Sequence, residues 1–586
     1  MSLLHTTVKS RQRFVRLAAV FLALLAGFPL AAFRSHAPDD SSQSPRRSEF
    51  PQFTDVTRRA GVQFRTETSA TSQKYLIETM GGGVAIFDYD GDGLMDLFFV
   101  NGAKLSDPMK PGEQPDKSVR RYWNRLYHNN GDGTFSDVTE KSGLRGCCYG
   151  MGVAVGDYDN DGRPDLYVTG WNTNTLYHNN GDGTFSDVTA KAGVSASGWS
   201  TSAAFVDYDN DGYLDIFVTR YLAWDFSMNI WCGDPGRTSR SFCHPNVFQP
   251  ATSILFHNNR DGTFTDVSEV AGISRHPGNG LGVAINDYDR DGRIDIAVAN
   301  DARPQQLFHN LGNGKFEETG QISGIAWSDN GETFSGMGID FRDYDNDGWP
   351  DLFITDLATQ SWDLFRNVAG RFQNATAAAG IETLSVRHSG WGAKFVDLDN
   401  DGWKDLFVVQ GHVMDDIGSR QPGLRYQEPP VVLRNVQGKF QDASSTSGAV
   451  FAKPVVGRGA AVGDLNNRGF EDIVVTSLDG EAQILHNEGN GNHWLTVKTI
   501  GTSSNRDGIG TQIVITGESG MKQWDVASGT GSYLSASDSR VHFGLGSDRL
   551  VKTIEIHWPS GISQRISDVR VDQILTVTEP AASTKK

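Results

Sequence analysis

The stretch that decides the fold is IFDYDGDGLMDLFFV at residues 86–100, in which an acidic loop separates two apolar runs. Short apolar runs around Asp and Gly are typical of β-strands joined by a turn. A degraded copy, VGDLNNRGFEDIVVT, occupies 462–476. The chain is therefore a repeat built of strands. The five other copies are VGDYDNDGRPDLYVT at 155–169, FVDYDNDGYLDIFVT at 205–219, INDYDRDGRIDIAVA at 285–299, FRDYDNDGWPDLFIT at 341–355 and FVDLDNDGWKDLFVV at 395–409.

Two further parts follow each acidic loop. RLYHNNGDGTF at 125–135 supplies a third strand and a turn, and FSDVT at 135–139 supplies a fourth strand. Seven such four-stranded units predict an all-β protein with a seven-bladed β-propeller. The seventh repeat lacks its fourth strand, while a similar segment, FTDVT at 53–57, precedes the first repeat. We expect this N-terminal strand to pair into blade seven and close the ring.

The propeller is predicted over 50–492, and the chain changes character on either side of it. Residues 493–580 contain short alternating runs such as WLTVKTI, which predict a small β-sandwich-like domain packed on the propeller, followed by a tail at 581–586. Basic residues before an apolar run predict a signal peptide or a retained anchor over 1–37, and 38–49 has the composition of a linker. These features predict a protein that is secreted, periplasmic or at the cell surface, with no other membrane span.

Each acidic loop offers carboxylates at its first, third, fifth and ninth positions. Four carboxylates this close repel one another unless a cation lies among them. Hard oxygen ligands at this spacing suit Ca²⁺, with the seventh residue giving a backbone carbonyl. One site per intact blade predicts about six calcium ions with a structural role. The predicted ligands are Asp88, Asp90, Asp92, Leu94 and Asp96; Asp157, Asp159, Asp161, Arg163 and Asp165; Asp207, Asp209, Asp211, Tyr213 and Asp215; Asp287, Asp289, Asp291, Arg293 and Asp295; Asp343, Asp345, Asp347, Trp349 and Asp351; and Asp397, Asp399, Asp401, Trp403 and Asp405.

An EF-hand is the main alternative, and the twelfth loop position decides against it. An EF-hand places a bidentate Glu there. The residues at that position are Phe99, Val168, Val218, Val298, Ile354 and Val408. In the seventh loop the ligand positions are Asp464, Asn466, Arg468 and Asp472. Because a guanidinium can fill a cation site from within, we expect no calcium in blade seven.

The charge balance agrees with this interpretation. The 586 residues carry 53 basic and 71 acidic side chains, a formal net charge of −18. This excess argues against a nucleic-acid partner, which needs a basic face for phosphates. About a third of the acids lie in the six intact loops. The acid excess therefore indicates metal sites more than a diffuse acidic surface.

Strand direction assigns the connections to two faces. The acidic loops share one face, which we call the loop face. Three long insertions, at 101–125, 220–253 and 411–431, share the other, which we call the insertion face. Long loops on a repeat scaffold usually carry function. The 220–253 insertion contains aromatic and basic side chains that either anchor a ligand or simply pack the loop. They are Arg220, Tyr221, Trp224 and Trp231.

Cysteine and histidine positions add little chemistry. Cys232 and Cys243 enclose a short loop in an exported chain, which predicts a disulfide. Cys147 and Cys148 are adjacent, and form either a strained ring disulfide or two free thiols. No Cys/His spacing indicates zinc. Five histidines occupy one repeat position and are therefore predicted to be structural; they are His128, His178, His257, His309 and His486.

The repeats resemble the FG-GAP and VCBS repeats of integrin α-subunit propellers. Near the C-terminus, RDGIGTQIVITG (506–517), GTGSYLSASDSRVHFGLG (529–546) and IEIHWPSG (554–561) look like the ASPIC/UnbV domain. The combination, over about residues 50–580, resembles the cartilage acidic protein family. The resemblance implies a secreted calcium-binding protein with an adhesive role. The eroded seventh loop is the one departure from the family's pattern.

The sequence favours a binding module over an enzyme. It contains no G-x-S-x-G, Walker A or H-E-x-x-H motif, and we predict no catalytic residue. The expected function is an exported, calcium-stabilised binding or adhesion module for an extracellular protein or glycan. The alternative is an extracellular polysaccharide lyase or hydrolase with its site on the insertion face.

Overall fold

The computed structural model describes residues 50–234, 236 and 238–581. The predicted signal peptide or anchor, the predicted linker and all but the first residue of the predicted tail lie outside the described residues. Within the described ranges, no helix combines the length and the apolar character needed to cross a bilayer.

The described chain is all-β and consists mostly of repeated four-stranded antiparallel sheets, as the sequence predicts. The first strand is β1 (Phe53–Asp55). We call the sheets blades. The strands of blades one to three are β2 (Val84–Phe87), β3 (Asp96–Phe99), β4 (Arg125–Asn129) and β5 (Phe135–Asp137); β6 (Gly150–Gly156), β7 (Asp165–Gly170), β8 (Thr175–Asn179) and β9 (Phe185–Asp187); and β10 (Ser200–Val206), β11 (Asp215–Arg220), β14 (Ile254–Asn258) and β15 (Phe264–Asp266). Within the blade-three insertion, β12 (Leu222–Ala223) pairs with β13 (Gln249–Pro250).

The remaining four blades follow the same order. Their strands are β16 (Gly280–Asn286), β17 (Asp295–Asn300), β18 (Gln306–Gly312) and β19 (Lys315–Glu318); β20 (Ile339–Arg342), β21 (Asp351–Ile354), β22 (Asp363–Asn367) and β23 (Phe372–Asn374); β24 (Gly390–Val396), β25 (Asp405–Gln410), β26 (Val431–Asn435) and β27 (Phe440–Asp442); and β28 (Gly457–Gly463), β29 (Asp472–Ser477) and β30 (Gln483–Asn487). Most side chains of the first two strands of each blade are buried, because blades stack against one another on both faces.

The helices of the described chain are short and lie in the connections. Four of them follow the fourth strand of a blade and end at a glycine in the left-handed conformation, such as Gly143 with φ of 81°. The α-helices are α1 (Thr139–Ser142), α2 (Thr189–Ala192), α3 (Ser268–Ala271), α4 (Gly320–Ser323), α5 (Glu382–Ser385) and α6 (Ile417–Arg420). The 3₁₀ turns are Leu76–Thr79, Arg120–Tyr122, Phe226–Met228, Pro245–Val247, Ile273–Arg275, Ser444–Thr446 and Ala449–Ala452.

Blade seven takes its fourth strand from the N-terminal side of the chain. Its strand order is β1-β30-β29-β28, and β1 pairs antiparallel with β30, with Phe53 opposite Asn487. The first strands of successive blades also pack against one another from β2 through β6, β10, β16, β20 and β24 to β28, which in turn contacts β2. These contacts follow the arrangement that the displaced FTDVT segment predicts.

A buried asparagine at the end of each third strand ties the blade to the preceding acidic loop. Its side-chain amide donates to the carbonyl of the residue after the loop's first Asp. Between the last and first blades the bond runs from Asn129 to the carbonyl of Leu465, at 2.9 Å. The other six pairs are Asn179 with Tyr89, Asn258 with Tyr158, Asn310 with Tyr208, Asn367 with Tyr288, Asn435 with Tyr344 and Asn487 with Leu398.

The C-terminal domain has two sheets around its own apolar core. The sheet orders are β34-β31-β37, in which β31 and β37 run parallel, and β33-β32-β35-β36. Leu495, Ile513 and Phe543 are among its fully buried residues. Its strands are β31 (His493–Ile500), β32 (Gln512–Gly517), β33 (Lys522–Val526), β34 (Val541–Gly546), β35 (Leu550–His557), β36 (Ser563–Arg570) and β37 (Gln573–Thr578).

The connection between β33 and β34 enters the centre of the propeller. We call residues 529–538 the axial loop. Tyr533 is fully buried, with its ring 4.9 Å from that of Trp391. Every blade hydrogen-bonds to the loop through its first strand. The pairs in blade order are Ala536 with Val84, Leu534 with Val153, Leu534 with Ser202, Gly531 with Val283, Ser532 with Ile339, Thr530 with Lys394, and Asp538 with Val462.

Candidate metal sites

Each acidic loop is folded by its own first aspartate, and loop two is representative. The Asp157 carboxylate accepts hydrogen bonds from the backbone N–H groups of Asp161 and Gly162, at 3.0 and 2.7 Å. This closes a tight turn, in which Gly162 adopts a φ of 89°. Asp165 begins β7 and accepts from the N–H groups of Tyr158 and Asn179. The predicted ligand carboxylates of one loop therefore converge on a single side of the turn.

The donor atoms fit a hard cation. One carboxylate oxygen from each of Asp88, Asp90 and Asp96 lies within 4.8 Å of the other two. Asp159 Oδ1 and Asp343 Oδ1 are buried without a hydrogen-bond partner among the described residues. A buried carboxylate oxygen is costly unless a donor or a cation compensates it. Clustered carboxylates with unused oxygens are the donor set that Ca²⁺ prefers.

Burial also raises the pKa values of these aspartates. Burial raises the pKa of Asp96 and of Asp157 to about 8, and those of Asp207 and Asp295 to about 7. For Asp157 the neighbouring Asp507 carboxylate adds to the effect. Since desolvation disfavours the charged form, each loop favours a proton or a cation at its centre.

The histidine of the third strand lies against the acidic cluster in loops one to four. In loop two, His178 Nδ1 is 3.3 Å from Asp165 Oδ1 and 3.4 Å from Asp159 Oδ2. The hydrogen bond with Asp165 raises the pKa of His178. The sequence predicts these histidines to be structural, and it gives no sign of this proximity because they lie on a different strand from the loop. His128, His257 and His309 lie equivalently.

Loops five and six carry an arginine where the first four blades have histidine. Arg366 Nη2 is 2.7 Å from Asp347 Oδ2, and its Nε contacts Asp345. In blade six, Arg434 Nη2 is 2.9 Å from Asp399 Oδ2 and 3.2 Å from Asp401 Oδ2. A guanidinium thus contacts two of the predicted ligands in each of these two loops. In loops two to four an arginine contacts one predicted ligand, the fifth-position aspartate; the pairs are Arg163 with Asp161, Arg260 with Asp211 and Arg293 with Asp291. The aspartate pattern alone predicts six equivalent loops. The structure shows that they are not equivalent.

Loop seven differs again. Arg468 replaces the central carboxylate, and its guanidinium donates to His486 and to the carbonyl of Asn487, at 3.1 and 2.8 Å. His486 Nδ1 in turn lies 2.9 Å from Asp472 Oδ1. His486 thus lies between the Arg468 guanidinium and the carboxylate of Asp472, the last ligand position of the loop. The absence of calcium from this blade stays a prediction.

The aromatic side chains of the blade-three insertion pack inside the protein. Tyr221 is fully buried, and its hydroxyl lies 2.6 Å from Asp301 Oδ2. Trp224 is also buried, with its ring 5.4 Å from that of Trp199. The interpretation of Tyr221 and Trp224 as exposed ligand anchors is therefore wrong, because both side chains belong to the core beneath the insertion face. Arg220 and Trp231 are partly buried.

The cysteines are resolved into one bridge and one adjacent pair. Cys232 and Cys243 form the predicted disulfide. Cys147 and Cys148 are free thiols with their sulfurs 3.4 Å apart, so the ring disulfide is not formed in this structure. The pKa of Cys147 is lowered to about 6, first by its hydrogen bond to Cys148.

Blades and loops together define a β-propeller in which most blades present an acidic, metal-type loop. The FG-GAP-like repeat family matches residues that together make up half of the chain, and the protein belongs to this family. The family of ASPIC and UnbV domains matches residues 501–584. The FG-GAP-like matches are 88–168, 157–218, 247–298, 287–354 and 343–408.

Relatives agree with the resemblance drawn from the sequence. Cartilage acidic protein 1 of Homo sapiens is 24% identical over 332 residues, which cover 54% of this chain and 46% of that protein. The Mus musculus protein of the same name is 24% identical over 331 residues, covering 54% and 47%. The chain thus spans about half of the length of these relatives.

The solved structures that align with this chain have low sequence identity to it. An Agrocybe aegerita lectin, solved for its specific recognition of non-reducing terminal N-acetylglucosamine, aligns over 69% of this chain and 87% of its own, with 16% identity and a TM-score of 0.37. YCF48 bound to D1 peptide aligns over 75% and 98%, with 6% identity and a TM-score of 0.39.

Proposed function

We propose that the protein is an exported, calcium-binding propeller that acts as a binding or adhesion module for an extracellular protein or glycan. The observation that carries the proposal is the repeated convergence of buried carboxylates in the acidic loops. Each loop lies between the first two strands of its own blade and carries its own set of carboxylates. Such a distribution favours an ion in a structural role, repeated per blade, over one catalytic metal centre.

Calcium would be held by the carboxylates of Asp157, Asp159, Asp161 and Asp165 and the carbonyl of Arg163 in loop two, and by the equivalent sets in the other five loops. The ion supplies positive charge that compensates the buried carboxylates. The chain contributes the turn that orients them and the asparagine bonds that fix each turn to the next blade. In loops five and six the Arg366 and Arg434 guanidiniums each contact two ligands, whereas the arginines of loops two to four contact one. We therefore expect the weakest binding in loops five and six.

Export is supported by the disulfide and by the type of calcium site. A disulfide such as Cys232–Cys243 persists in oxidising compartments. Extracellular modules typically bind calcium with dissociation constants of about 0.1–1 mM. At millimolar calcium, each such site adds roughly 0.5–1.5 kcal/mol to the free energy of unfolding. The alternative is a polysaccharide-active enzyme with its site on the insertion face. It has less support, because Tyr221 and Trp224 are buried and cannot bind a sugar there.

Thermal unfolding tests the structural role of calcium. We expect EDTA to lower the Tm by several degrees and excess calcium to restore it, because several sites contribute together. The double variant Asp159→Asn, Asp161→Asn should lose part of this response. Asp182→Asn is the matched control, since Asp182 lies in the neighbouring turn and caps Thr184. A Tm that is the same in EDTA and in calcium would contradict the proposal.

A further inference from the structure

A second set of asparagine bonds links the acidic loops directly to one another on the loop face. At the fourth loop position, between the third- and fifth-position ligands, an asparagine amide donates to a glycine carbonyl of the next loop. These bonds join Asn160 to Gly212, Asn210 to Gly292, Asn346 to Gly402, Asn400 to Gly469 and Asn467 to Gly93. In loop four, Arg290 takes the position and lies 4.4 Å from the ring centroid of Trp349 in loop five.

Loop one lacks this link. Gly91 stands where the other loops have Asn or Arg, so the fourth position of loop one has no side chain that could reach loop two. A Cβ atom built at Gly91 meets nothing within 4 Å. The chain of loop-to-loop links therefore has one gap among the described residues, and it lies between the first two blades.

A cavity of about 260 Å³ opens at this gap. Its floor includes Asp88 and Gly91 of loop one and Arg163 of loop two. Its other wall comes from the C-terminal domain. Asp88 is half-buried, whereas the first aspartates of loops two to six are buried. We call this cavity the blade-one cleft. The lining residues from the C-terminal domain that bear charge include Lys498, Arg506, Asp507 and Arg540.

Two of the cations in the cleft form no direct ion pair. Arg540 pairs with Asp538 at 2.6 Å, and Arg163 pairs with Asp161. Lys498 and Arg506 are exposed, and in the described part of the chain neither side chain makes a direct ion pair. Their charges favour the ionised forms of nearby carboxylates, Asp88 and Asp507 for Lys498 and Asp507 for Arg506. The Asp507 carboxylate accepts a hydrogen bond from the backbone N–H of Asp157. Both oxygens of Asp88 accept backbone N–H bonds, from Gly91 and Gly93. Two exposed cations thus line a small cavity whose carboxylates are already hydrogen-bonded within the protein and whose walls also include Ile86, Val155 and Ile509.

We infer that the blade-one cleft binds one anionic sugar unit of a glycan. Lys498 and Arg506 would hold its carboxylate or sulfate by charge-assisted hydrogen bonds. The exposed Ser539 offers a hydroxyl group to hydrogen-bond with the sugar hydroxyls, and the apolar wall suits the face of a sugar ring. The size of the cavity suits a single ring more than a peptide. The inference rests on the proposed binding role and places the glycan site on the loop face.

Titration of the purified full chain in calcium tests the inference. The probes are hexasaccharides of equal length that carry uronic acids, sulfates or no charge. We expect the anionic probes to bind and the neutral probe not to bind, and the stronger of the two anionic probes identifies the group. Lys498→Ala with Arg506→Ala should weaken binding about tenfold or more. Lys522→Ala, an exposed cation of the same domain outside the cleft, should leave it unchanged.

The sharpest variant is Gly91→Asn. Gly91 has a φ of 77°, and the asparagines of the other loops occupy the same left-handed region, so the variant should fold. It restores the missing side chain and narrows the cleft, and we expect it to lose the anionic sugar while keeping a calcium-dependent Tm. Unchanged binding of the anionic probes by Gly91→Asn would overturn the inference. The inference would also be overturned if the wild-type protein bound neither anionic probe while its Tm still depended on calcium. Loss of calcium dependence itself would instead contradict the proposed function.

Discussion

A single third-strand residue determines which positive group lies beside the carboxylates of each acidic loop. The third strand places a histidine beside the carboxylates in loops one to four, and an arginine that contacts two of them in loops five and six. A histidine can lose its proton, and the neutral ring then does not repel a metal ion at the carboxylates. An arginine stays positively charged and competes with the metal ion for the carboxylates. The six loops therefore fall into a class of four, in which at most one ligand is paired with an arginine, and a class of two, in which two ligands are. The repeated aspartates were predictable because ligand and turn are close in sequence. The third-strand partner was not, because only folding brings it to the loop.

The raised pKa values of the loop aspartates predict an unusual pH dependence. The pKa of Asp157 rises from 3.8 to about 8 on folding, so the folded, metal-free chain holds a proton that the unfolded chain releases. This contribution to stability is fully present below about pH 4 and is lost as the pH rises through about 8. We expect the free energy of unfolding in EDTA to fall over this window, by about 1 kcal/mol or more per loop.

Denaturant unfolding at mildly acidic and mildly alkaline pH measures this effect, in EDTA and in millimolar calcium. Calcium replaces the protons, so it should stabilise the protein more at the alkaline pH. Equal stability at the two pH values in EDTA, with no added effect of calcium at the higher one, would contradict the assignment of these aspartates.

At the scale of elements, buried asparagines join one blade to the next. Asn258 donates to the carbonyls of Tyr158 and Leu214, at 2.8 and 2.9 Å. Asn258→Ala should lower the free energy of unfolding by about 1–3 kcal/mol, because both carbonyls lose a buried donor. Asn259→Ala is the matched control, since its exposed side-chain amide bonds only to Thr263 and Thr265 within its own hairpin. Chemical denaturation that gave the same small effect for both variants would contradict this role.

The axial loop marks the limit of sequence reasoning about elements. Repeat spacing predicts strands and loops because those contacts are local or periodic. The segment GSYLSAS at 531–537 has neither property, and only the fold shows it in contact with all seven blades. The burial of Tyr221 and Trp224 was undecided for the same reason, since an aromatic residue in an insertion has no periodicity to assign it to core or surface.

At the scale of the whole molecule, the axial loop couples the two domains. Tyr533 is fully buried between Trp391 and Met80. Tyr533→Ala should cost about 3–5 kcal/mol of stability, since it removes a large buried ring. Tyr533→Phe keeps the ring and should cost far less. We expect calorimetry to show that Tyr533→Ala lowers the unfolding temperature of propeller and C-terminal domain together. Destabilisation of the C-terminal domain alone would contradict the coupling.

The net charge of −18 acquires a structural explanation at this scale. The acids converge in loops at one face of the propeller, where the C-terminal domain also packs. Arg342 of blade five, for example, donates to Asp525 and to the carbonyl of Val526. The charge thus reflects a set of candidate metal sites rather than a uniformly acidic surface.

The central claim is that the acidic loops bind calcium, and counting bound ions tests it most directly. Equilibrium dialysis of metal-free protein against increasing calcium, with elemental analysis of the protein compartment, gives the number of ions per chain. We expect about four ions to bind more tightly and about two more weakly, with Arg366→His moving one ion into the tighter class. Less than one ion per chain at millimolar calcium would contradict the account.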